Sequence, residues 1–287
     1  MKHLYKFIAL VFIFMIGIAF FSKSIPSISV STTTASSIQD STFPMVYLQV
    51  GESFINPLHG YSSELNSSTV RESITPLDTG KTFAVNIAEN DSKIKKLSYE
   101  LRDIANNKSI ETGDITAFDK NKKYKVATVH LKEAMDTSTE YGFCMTLITN
   151  YSKKIHFYTR IKYYDNDFFL SKKLDFVAKF HAATFDQGRS LDLSQYLESG
   201  TNDDSSYESV DIHSSRKLIT WGKLKPKRLT DVVPTVKELN IETAAISQTY
   251  FVSATTASGS ETYQVKEFYR VRLSLIHISE PTRLGMI

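Results

Sequence analysis

Alternating apolar and polar positions between residues 43 and 165 predict a β-sandwich. Short runs rich in Val, Ile, Thr, Tyr and Phe recur in this region, and turn residues such as Asn, Asp and Gly separate them. Many short strands at regular spacing are typical of an antiparallel sandwich. We therefore predict strands at Met45–Val50, Glu52–Ile55, Thr82–Ala88, Ile94–Asp103, Lys123–Leu131, Glu140–Thr149 and Lys154–Tyr164.

The strand at Glu140–Thr149 is expected to be a central strand of its sheet. Alternate positions from Tyr141 onwards are mostly large and apolar, and the opposite face, which includes Gly142 and Cys144, is mostly small. This pattern predicts burial of both faces. A catalytic thiol needs an electropositive and partly exposed site. We therefore interpret Cys144 as a core residue and not as a nucleophile.

The segment from Leu131 to Tyr141 resembles the tyrosine corner of immunoglobulin-like and fibronectin-III-like sandwiches. In those domains a Tyr near the start of a late strand hydrogen-bonds back to the preceding loop, and Leu131, Thr139 and Tyr141 are the matching positions. The resemblance covers residues 43–165, which lack the cysteine pair and core Trp of antibody-type domains. It implies a spacer or a binding platform, although a fold does not determine a function.

After Asp165 the apolar period changes from two residues to that of a helix. A helix is predicted from about Phe169 to Gly188, with Asp167 or Ser171 as its cap, and Asp192 is expected to cap a second short helix at 192–198. The apolar positions of the first helix are Leu170, Leu174, Val177 and Phe180.

Strands are predicted after the helices, which makes residues 166–272 an α+β module. In the order of its elements, this module resembles the helix-plus-curved-sheet domains of the NTF2-like or cystatin-like kind. The alternative is a piece of a larger sheet that is completed beyond Arg272. The predicted strands are Glu208–Ser214, Lys217–Trp221 and Val236–Asn240, followed by a hairpin of Glu242–Ala254 and Glu261–Arg272 that turns at 258–260.

The N-terminus has the pattern of a membrane-targeting segment. Phe7–Phe21 is a run of 15 apolar residues behind Lys2 and Lys6, which is longer than most signal-peptide cores and shorter than the ~20 residues of a spanning helix. Because Ala19 is followed by two Phe residues, the cleavage site is poor. We predict that residues 1–24 form an uncleaved membrane helix, with a cleaved signal peptide as the alternative. Residues 25–42 form a Ser/Thr-rich linker.

Residues 273–287 resemble a translated sequencing adapter. The stretch Leu273–Arg283 reads LSLIHISEPTR, which matches one reading frame of a widely used transposon-type adapter. We therefore expect this tail to be non-native and the natural protein to continue beyond Arg272. His277 and Pro281 carry no functional argument for this reason.

Composition and charge exclude several classes of function. The chain has 287 residues, with 34 Lys and Arg against 31 Asp and Glu. Three lysines in residues 1–24 account for the net charge of +3, so the folded part is neutral and has no footprint for nucleic acid. A single Cys excludes an internal disulfide and a cysteine-based zinc cluster.

No motif in the sequence indicates a reaction. Phosphate-loop, dinucleotide-binding, HExxH, GxSxG and CxxC patterns are absent, and we predict no catalytic, cofactor-binding or metal-binding residues and no cofactor. A pocket containing His181 and His213 is one alternative to surface or core roles for the histidines. The basic cluster at 223–228 is interpreted as a solvated turn. The basic face of Lys266, Arg270 and Arg272 is interpreted as a solvated sheet surface, with an acidic partner as the alternative.

Together these patterns predict an extracytoplasmic protein held in the cell membrane by its N-terminal helix, or secreted after cleavage. It is similar to membrane-anchored surface proteins of low-GC Gram-positive bacteria. We expect a non-catalytic binding or scaffold protein whose partner is a protein or a cell-envelope ligand. The alternatives are a fragment of an extracytoplasmic enzyme or of an envelope sensor. A closed polar pocket with paired acid and base residues in 166–272 would favour the enzyme, and an interior filled by Phe and Tyr would favour the scaffold.

Overall fold

The computed structural model of the chain describes residues 41–66, 70–121, 123–166, 168–198, 207–256 and 259–273, together with Lys6, Met15, Pro281 and Thr282. The chain forms two compact units, residues 1–38 and 39–287. The predicted anchor at 1–24, linker at 25–42 and adapter-like tail at 273–287 lie almost wholly outside the described residues. Within the described part of the chain, every helix is too short or too polar to span a bilayer.

Strands between residues 45 and 163 form two five-stranded sheets. The first has the order β2-β1-β4-β8-β7 and the second has the order β3-β10-β9-β5-β6. All paired neighbours are antiparallel except β3 and β10, which are parallel. The bounds are β1 Met45–Val50, β2 Ser53–Leu58, β3 Ile74–Leu77, β4 Thr82–Ala88, β5 Ile94–Asp103, β6 Ser109–Ile115, β7 Asp119–Asn121, β8 Tyr124–His130, β9 Glu140–Thr149 and β10 Lys154–Tyr163.

The two sheets enclose a shared apolar core. Leu48 and Val85 of the first sheet and Leu97 and Phe143 of the second are fully buried. The rings of Phe83 and Phe143 meet edge to face at 5.3 Å across the interface. Because full burial of one such side chain contributes about 1.5–3 kcal/mol, the alternating apolar positions are the main driving force for this packing.

The predicted mainly-β character is confirmed, and β1, β4, β5 and β9 have the predicted bounds. β9 is central, between β10 and β5. The Tyr141 hydroxyl accepts a hydrogen bond from the Asp136 backbone N–H at 2.8 Å, which is the contact expected of a tyrosine corner. Strands β3, β6 and β7 were not predicted, because β3 contains a proline and the other two are polar.

The second part contains a helix, two short helical turns and a third sheet. The helix α1 spans Leu170–Phe185, a 3-10 turn spans Leu193–Tyr196, and α2 spans Arg216–Ile219. The Asp192 carboxylate caps the 3-10 turn by accepting from Ser194 N, as predicted. In the third sheet β13 pairs with β11, β12 and β14, and β14 pairs with β15. The strands are β11 Lys227–Arg228, β12 Thr235–Leu239, β13 Thr243–Thr256, β14 Gly259–Arg272 and β15 Pro281–Thr282.

Two predicted strands of the second part are wrong. Residues 208–214 form turns with a single bridge residue at Val210, and Lys217–Trp221 falls on α2 and the turn after it. The Ser215 hydroxyl caps α2 by accepting from Leu218 N. The Trp221 and Gly222 backbones, at φ +65° and +51°, then end it. The apolar residues of this segment are buried in a tight helical turn. Over so few residues, the apolar pattern of a helical turn resembles that of a buried strand.

The start of α1 also differs from the prediction. Phe169 occupies the cap position in a left-handed conformation, and among the described residues no side chain caps the helix. The predicted cap Asp167 lies outside the described residues, and Ser171 lies within the helix. Lys173 holds the first turn in place. Its ammonium group is fully buried and donates to the carbonyl oxygens of Phe168, Asn240 and Ile241 at 2.6–2.9 Å. This buried cation ties the helix to the turn between β12 and β13.

The sandwich and the α+β part share one continuous hydrophobic core, and a buried asparagine joins them. The backbone N–H of Asn56 donates to Pro234 O, and its side-chain oxygen accepts from Val236 N, both at 2.8 Å. Its amide nitrogen donates to Ile74 O at 2.8 Å and to Thr75 Oγ1 at 3.2 Å. We call these contacts the Asn56 joint. The separation of 43–165 and 166–272 into two domains stays a prediction.

The Asn56 joint should contribute strongly to stability. Asn56 has a φ of +51°, so Asn56→Gly keeps the backbone conformation and removes only the side-chain bonds. Because buried partners are left unsatisfied, we expect the free energy of unfolding to fall by about 2–4 kcal/mol. Urea unfolding followed by the fluorescence of Trp221 measures this change.

Asn90→Gly is the matched control for this prediction. Asn90 has a similar φ of +49°, but it is exposed and its amide bonds only to Phe43 O. We expect a loss below about 1 kcal/mol. Equal losses in the two variants would contradict a special role for Asn56.

Candidate functional site

The outer face of the second sheet, which points away from the core, forms an open polar concavity of about 490 Å³. Residues of four strands and one loop line it. We call it the outer-sheet face and define it by Glu64, Glu100, Cys144, Thr146, Lys154 and His156. Its size falls in the range of about 300–1,000 Å³ that is common for binding sites.

The strand register sets the order of side chains on this face. Cys144 on β9 lies opposite Glu100 on β5 and Tyr158 on β10. One step along, Thr146 lies between Ser98 and His156 by the same pairings. Since side chains on a strand alternate between faces, the large apolar residues of β9 enter the core and its small residues remain here. The small face that the sequence shows therefore forms the floor of the concavity.

Cys144 is buried in this floor and is not activated. It is 8% exposed, as the sequence predicted. Burial, opposed in part by a hydrogen bond with Tyr158, raises the pKa of the thiol to about 11. The Tyr158 hydroxyl also accepts from Leu65 N at 2.7 Å, which ties the loop at Leu65 to β10. A thiol with this pKa is protonated at neutral pH and is a poor nucleophile.

The carboxylates of the outer-sheet face are paired with basic side chains on and beside it. Arg102 lies 2.6 Å from Glu100 and 3.5 Å from Glu64, and Lys96 lies 2.8 Å from Asp114. Burial raises the pKa of Glu100. Hydrogen bonds from Arg102 and Ser109 and the charge of Arg102 together lower this pKa by more, so the net shift is downward. Ionised and paired carboxylates suit the recognition of polar groups more than proton transfer.

The rim of this face is held by Glu72. Its carboxylate accepts from the Tyr61 hydroxyl at 2.6 Å and lies 3.1 Å from His59 Nδ1. The hydrogen bond to Glu72 is the main cause that raises the pKa of Tyr61 to about 12. His156 exchanges backbone hydrogen bonds with Tyr61 and lies 3.0 Å from Thr146 Oγ1. These contacts fix the loop beside β10.

A second cluster of chemically active groups lies beneath α1. His181 Nδ1 lies 2.8 Å from Glu267 Oε2, and the hydroxyls of Tyr250 and Tyr269 donate to the same carboxylate at 2.7 and 2.8 Å. His181 Nε2 faces an Arg228 nitrogen at 3.4 Å. Because arginine only donates, Nε2 is the acceptor and the proton is on Nδ1. In this tautomer Nδ1 donates to the Glu267 carboxyl group.

The structure does not bring His181 and His213 together. His213 lies in a turn with its side chain 45% exposed, and its partner is Glu198 at 3.5 Å. His181 is 5% exposed and packs between the rings of Phe185 and Tyr250. The acid–base pair that would favour an enzyme is therefore present, but the aromatic filling that favours a scaffold encloses it.

The sequence contains a signal for the burial of Glu267, although Glu267 is not among the predicted site residues. Glu267 lies between Val265 and Tyr269 on the face of β14 that faces the core. A carboxylate at an alternating apolar position is buried if the strand is, and a buried carboxylate needs donors. Its partner His181 could not be named, because the two residues are 86 positions apart.

In the part of the chain that the structure describes, no group of three or more His, Cys, Asp or Glu could hold a metal ion. A comparison with protein-family models gives no match, and neither does a comparison with curated proteins. The geometry of these sites is therefore what indicates a function.

The thiol of Cys144 should react slowly in the folded protein. It is the only cysteine, so iodoacetamide labelling followed by mass spectrometry reports it alone. A pKa of about 11 instead of 9.0 lowers the thiolate fraction at pH 8 about 100-fold. We expect labelling at least that much slower than in urea-unfolded protein, with a rate that rises about tenfold per pH unit. Equal labelling rates in folded and unfolded protein would contradict the burial of Cys144 in the floor of the concavity.

Proposed function

We propose that the protein is a non-catalytic binding or scaffold protein of the cell envelope. Residues 1–24 anchor it in the membrane, and the body lies outside the cytoplasm. The observation that supports a binding role is the outer-sheet face, an open polar concavity whose carboxylates are paired with basic side chains and whose one thiol is protonated. Such a surface offers hydrogen-bonding groups to a partner without an activated nucleophile or a free base.

We also propose that residues 43–165 are an immunoglobulin-like sandwich. Three observations support this fold: the two stacked sheets, the parallel pairing of β3 with the last strand β10, and the hydrogen bond of Tyr141 to Asp136 N. A helix across an antiparallel sheet in 166–272 is consistent with the NTF2-like or cystatin-like kind of module. Sandwiches of this sort act as spacers or binding platforms.

An extracytoplasmic enzyme is the second candidate, and the His181–Glu267 pair is the observation that favours it. A carboxylate that orients a histidine is the arrangement of many acid–base sites. Here, however, both side chains are buried among aromatic rings, and the free nitrogen of His181 faces Arg228. A general base needs access to the proton that it removes. The pair therefore fits the packing of α1 on the sheet better than catalysis.

Two measurements on the full-length protein test the proposal. Protease added to intact Gram-positive cells should degrade the body while the N-terminal segment remains with the membrane. Protection of the body in intact cells, with digestion after lysis, would place it in the cytoplasm and overturn the proposal. The purified full chain in detergent should bind isolated cell envelopes, and the outer-sheet face should carry this binding.

A pair of adjacent lysines tests the role of the face. Lys154 lines the concavity, whereas Lys153 is exposed outside it. We expect Lys154→Glu to weaken envelope binding about tenfold, which corresponds to ~1.4 kcal/mol, and Lys153→Glu to leave it unchanged. The two variants have the same net charge, so equal effects would exclude this face as the binding surface.

We further propose that residues 273–287 derive from a sequencing adapter and that the natural chain differs after about Arg272. Sequencing the locus with primers on both sides tests this directly. Recovery of different codons after Arg272 is the expected result, and a catalytic or spanning segment there would favour the enzyme or sensor alternative. Native codons that encode LSLIHISEPTR would overturn the adapter proposal.

A further inference from the structure

A cleft of about 310 Å³ lies where the end of α1 meets the segment between α2 and β11. Phe185 and Trp221 provide apolar surface in it, and Gln187, Arg189, Thr220 and Lys225 provide polar groups. We call it the basic cleft. It shares no residue with the outer-sheet face, so its role is independent of the function proposed above.

Two helix ends build the walls of the basic cleft. α1 ends with Gln187 and Gly188 at positive φ, and α2 ends with Trp221 and Gly222 at positive φ. Gly188 N bonds back to Ala183 O and Gly222 N to Lys217 O, both at 2.7 Å. These bonds satisfy one carbonyl at the C-terminal end of each helix. The C-terminal ends of helices carry partial negative charge and favour cations, so the attraction for an anion comes from the basic side chains and not from the helix ends.

The basic residues around this cleft converge from distant parts of the sequence. Arg189 follows α1, Arg216 lies on α2, and Lys223, Lys225 and Lys227 follow α2. Arg216 connects α2 to the end of α1 by donating to Gln187 O at 3.1 Å. Among the described residues, no carboxylate lies within 4.0 Å of these five cations. The sequence shows only the run at 223–228, which alone resembles a solvated turn.

Arg189 is positioned to bind an anion through two nitrogens of its guanidinium group. Its Nε donates to Asp186 O at 2.8 Å, which fixes the guanidinium. The Asp186 carboxylate accepts from the backbone N–H groups of Arg189 and Ser190, so it is engaged with the turn. In the described part of the chain, no protein acceptor contacts the two terminal nitrogens of Arg189. Paired N–H groups of arginine match the geometry of phosphate oxygens.

We propose that the basic cleft binds a phosphate group, with Arg189 as its bidentate ligand and Lys225 as a second cation. The half-buried ring of Phe185 accepts the apolar side of the group that carries the phosphate. The volume is sufficient for a phosphate with one small organic group. A phosphodiester polymer and an anionic lipid headgroup both present this chemistry.

The proposal is tested by titrating the full-length protein in detergent at constant ionic strength. Trp221 is the only tryptophan and lines the cleft, so its fluorescence reports occupancy. The probes are inorganic phosphate, a glycerol phosphate polymer, and phosphatidylglycerol in mixed detergent micelles, with phosphatidylcholine in the same micelles as the neutral comparison. A tighter response to the polymer identifies a polymeric source, and a tighter response to phosphatidylglycerol identifies a lipid source. Both results support phosphate recognition.

Three variants separate the cleft from general electrostatics. We expect Arg189→Gln and Lys225→Gln to weaken phosphate binding at least tenfold. Arg71→Gln removes the same charge from an exposed position outside the cleft and should have no effect. Urea unfolding of each variant shows that it is folded. Equal weakening by Arg71→Gln, or no response of the unsubstituted protein to any of the phosphate probes, would overturn the proposal.

Discussion

The buried amide of Asn56 is the contact on which the relation between the parts of this protein depends. Its oxygen and nitrogen bind β12 on one side and β3 on the other, and its backbone continues the connection to Pro234. A buried amide is stable only when its donors and acceptors are satisfied. These bonds therefore fix one position of the third sheet against the sandwich, and the continuous apolar core then stabilises that position without itself being directional.

Two other buried polar groups hold the helix on the third sheet. The ammonium of Lys173 bonds to the carbonyls of the β12–β13 turn, and the carboxylate of Glu267 receives hydrogen bonds from His181, Tyr250 and Tyr269. Each charge is costly to bury and is stable only with several partners. The same bonding removes these groups from chemistry, because a fully engaged acid or base has no free position for a substrate. The interior thus contains reactive residue types in structural roles, and the surface of the described residues includes two cavities that are open to ligands, the outer-sheet face and the basic cleft.

The two cavities offer different kinds of recognition. On the outer-sheet face, Arg102 is neutralised by Glu100 and Glu64, so that surface presents paired charges and hydroxyl groups. At the basic cleft, Arg189 and Lys225 face a space with an excess of positive charge. A neutral folded body can therefore still present a localised positive field, because charge that is balanced over the whole chain need not be balanced at one site.

The sequence by itself determined the elements in which apolar residues recur with a clear period. These include the strand β9, the hairpin of β13 and β14, and the helix α1. It also determined the burial of Cys144, because the apolar pattern of β9 shows that both of its faces are covered, and the contact of Tyr141, because Asp136 is only five positions away. The tertiary structure alone decided that Arg216–Ile219 is helical, that Lys173 ties α1 to the turn between β12 and β13, and that His181 meets Glu267. It alone placed Arg189 beside Lys225. Periodicity reports which face of an element is buried, but the partner across that face is set by packing between residues that are far apart in the chain.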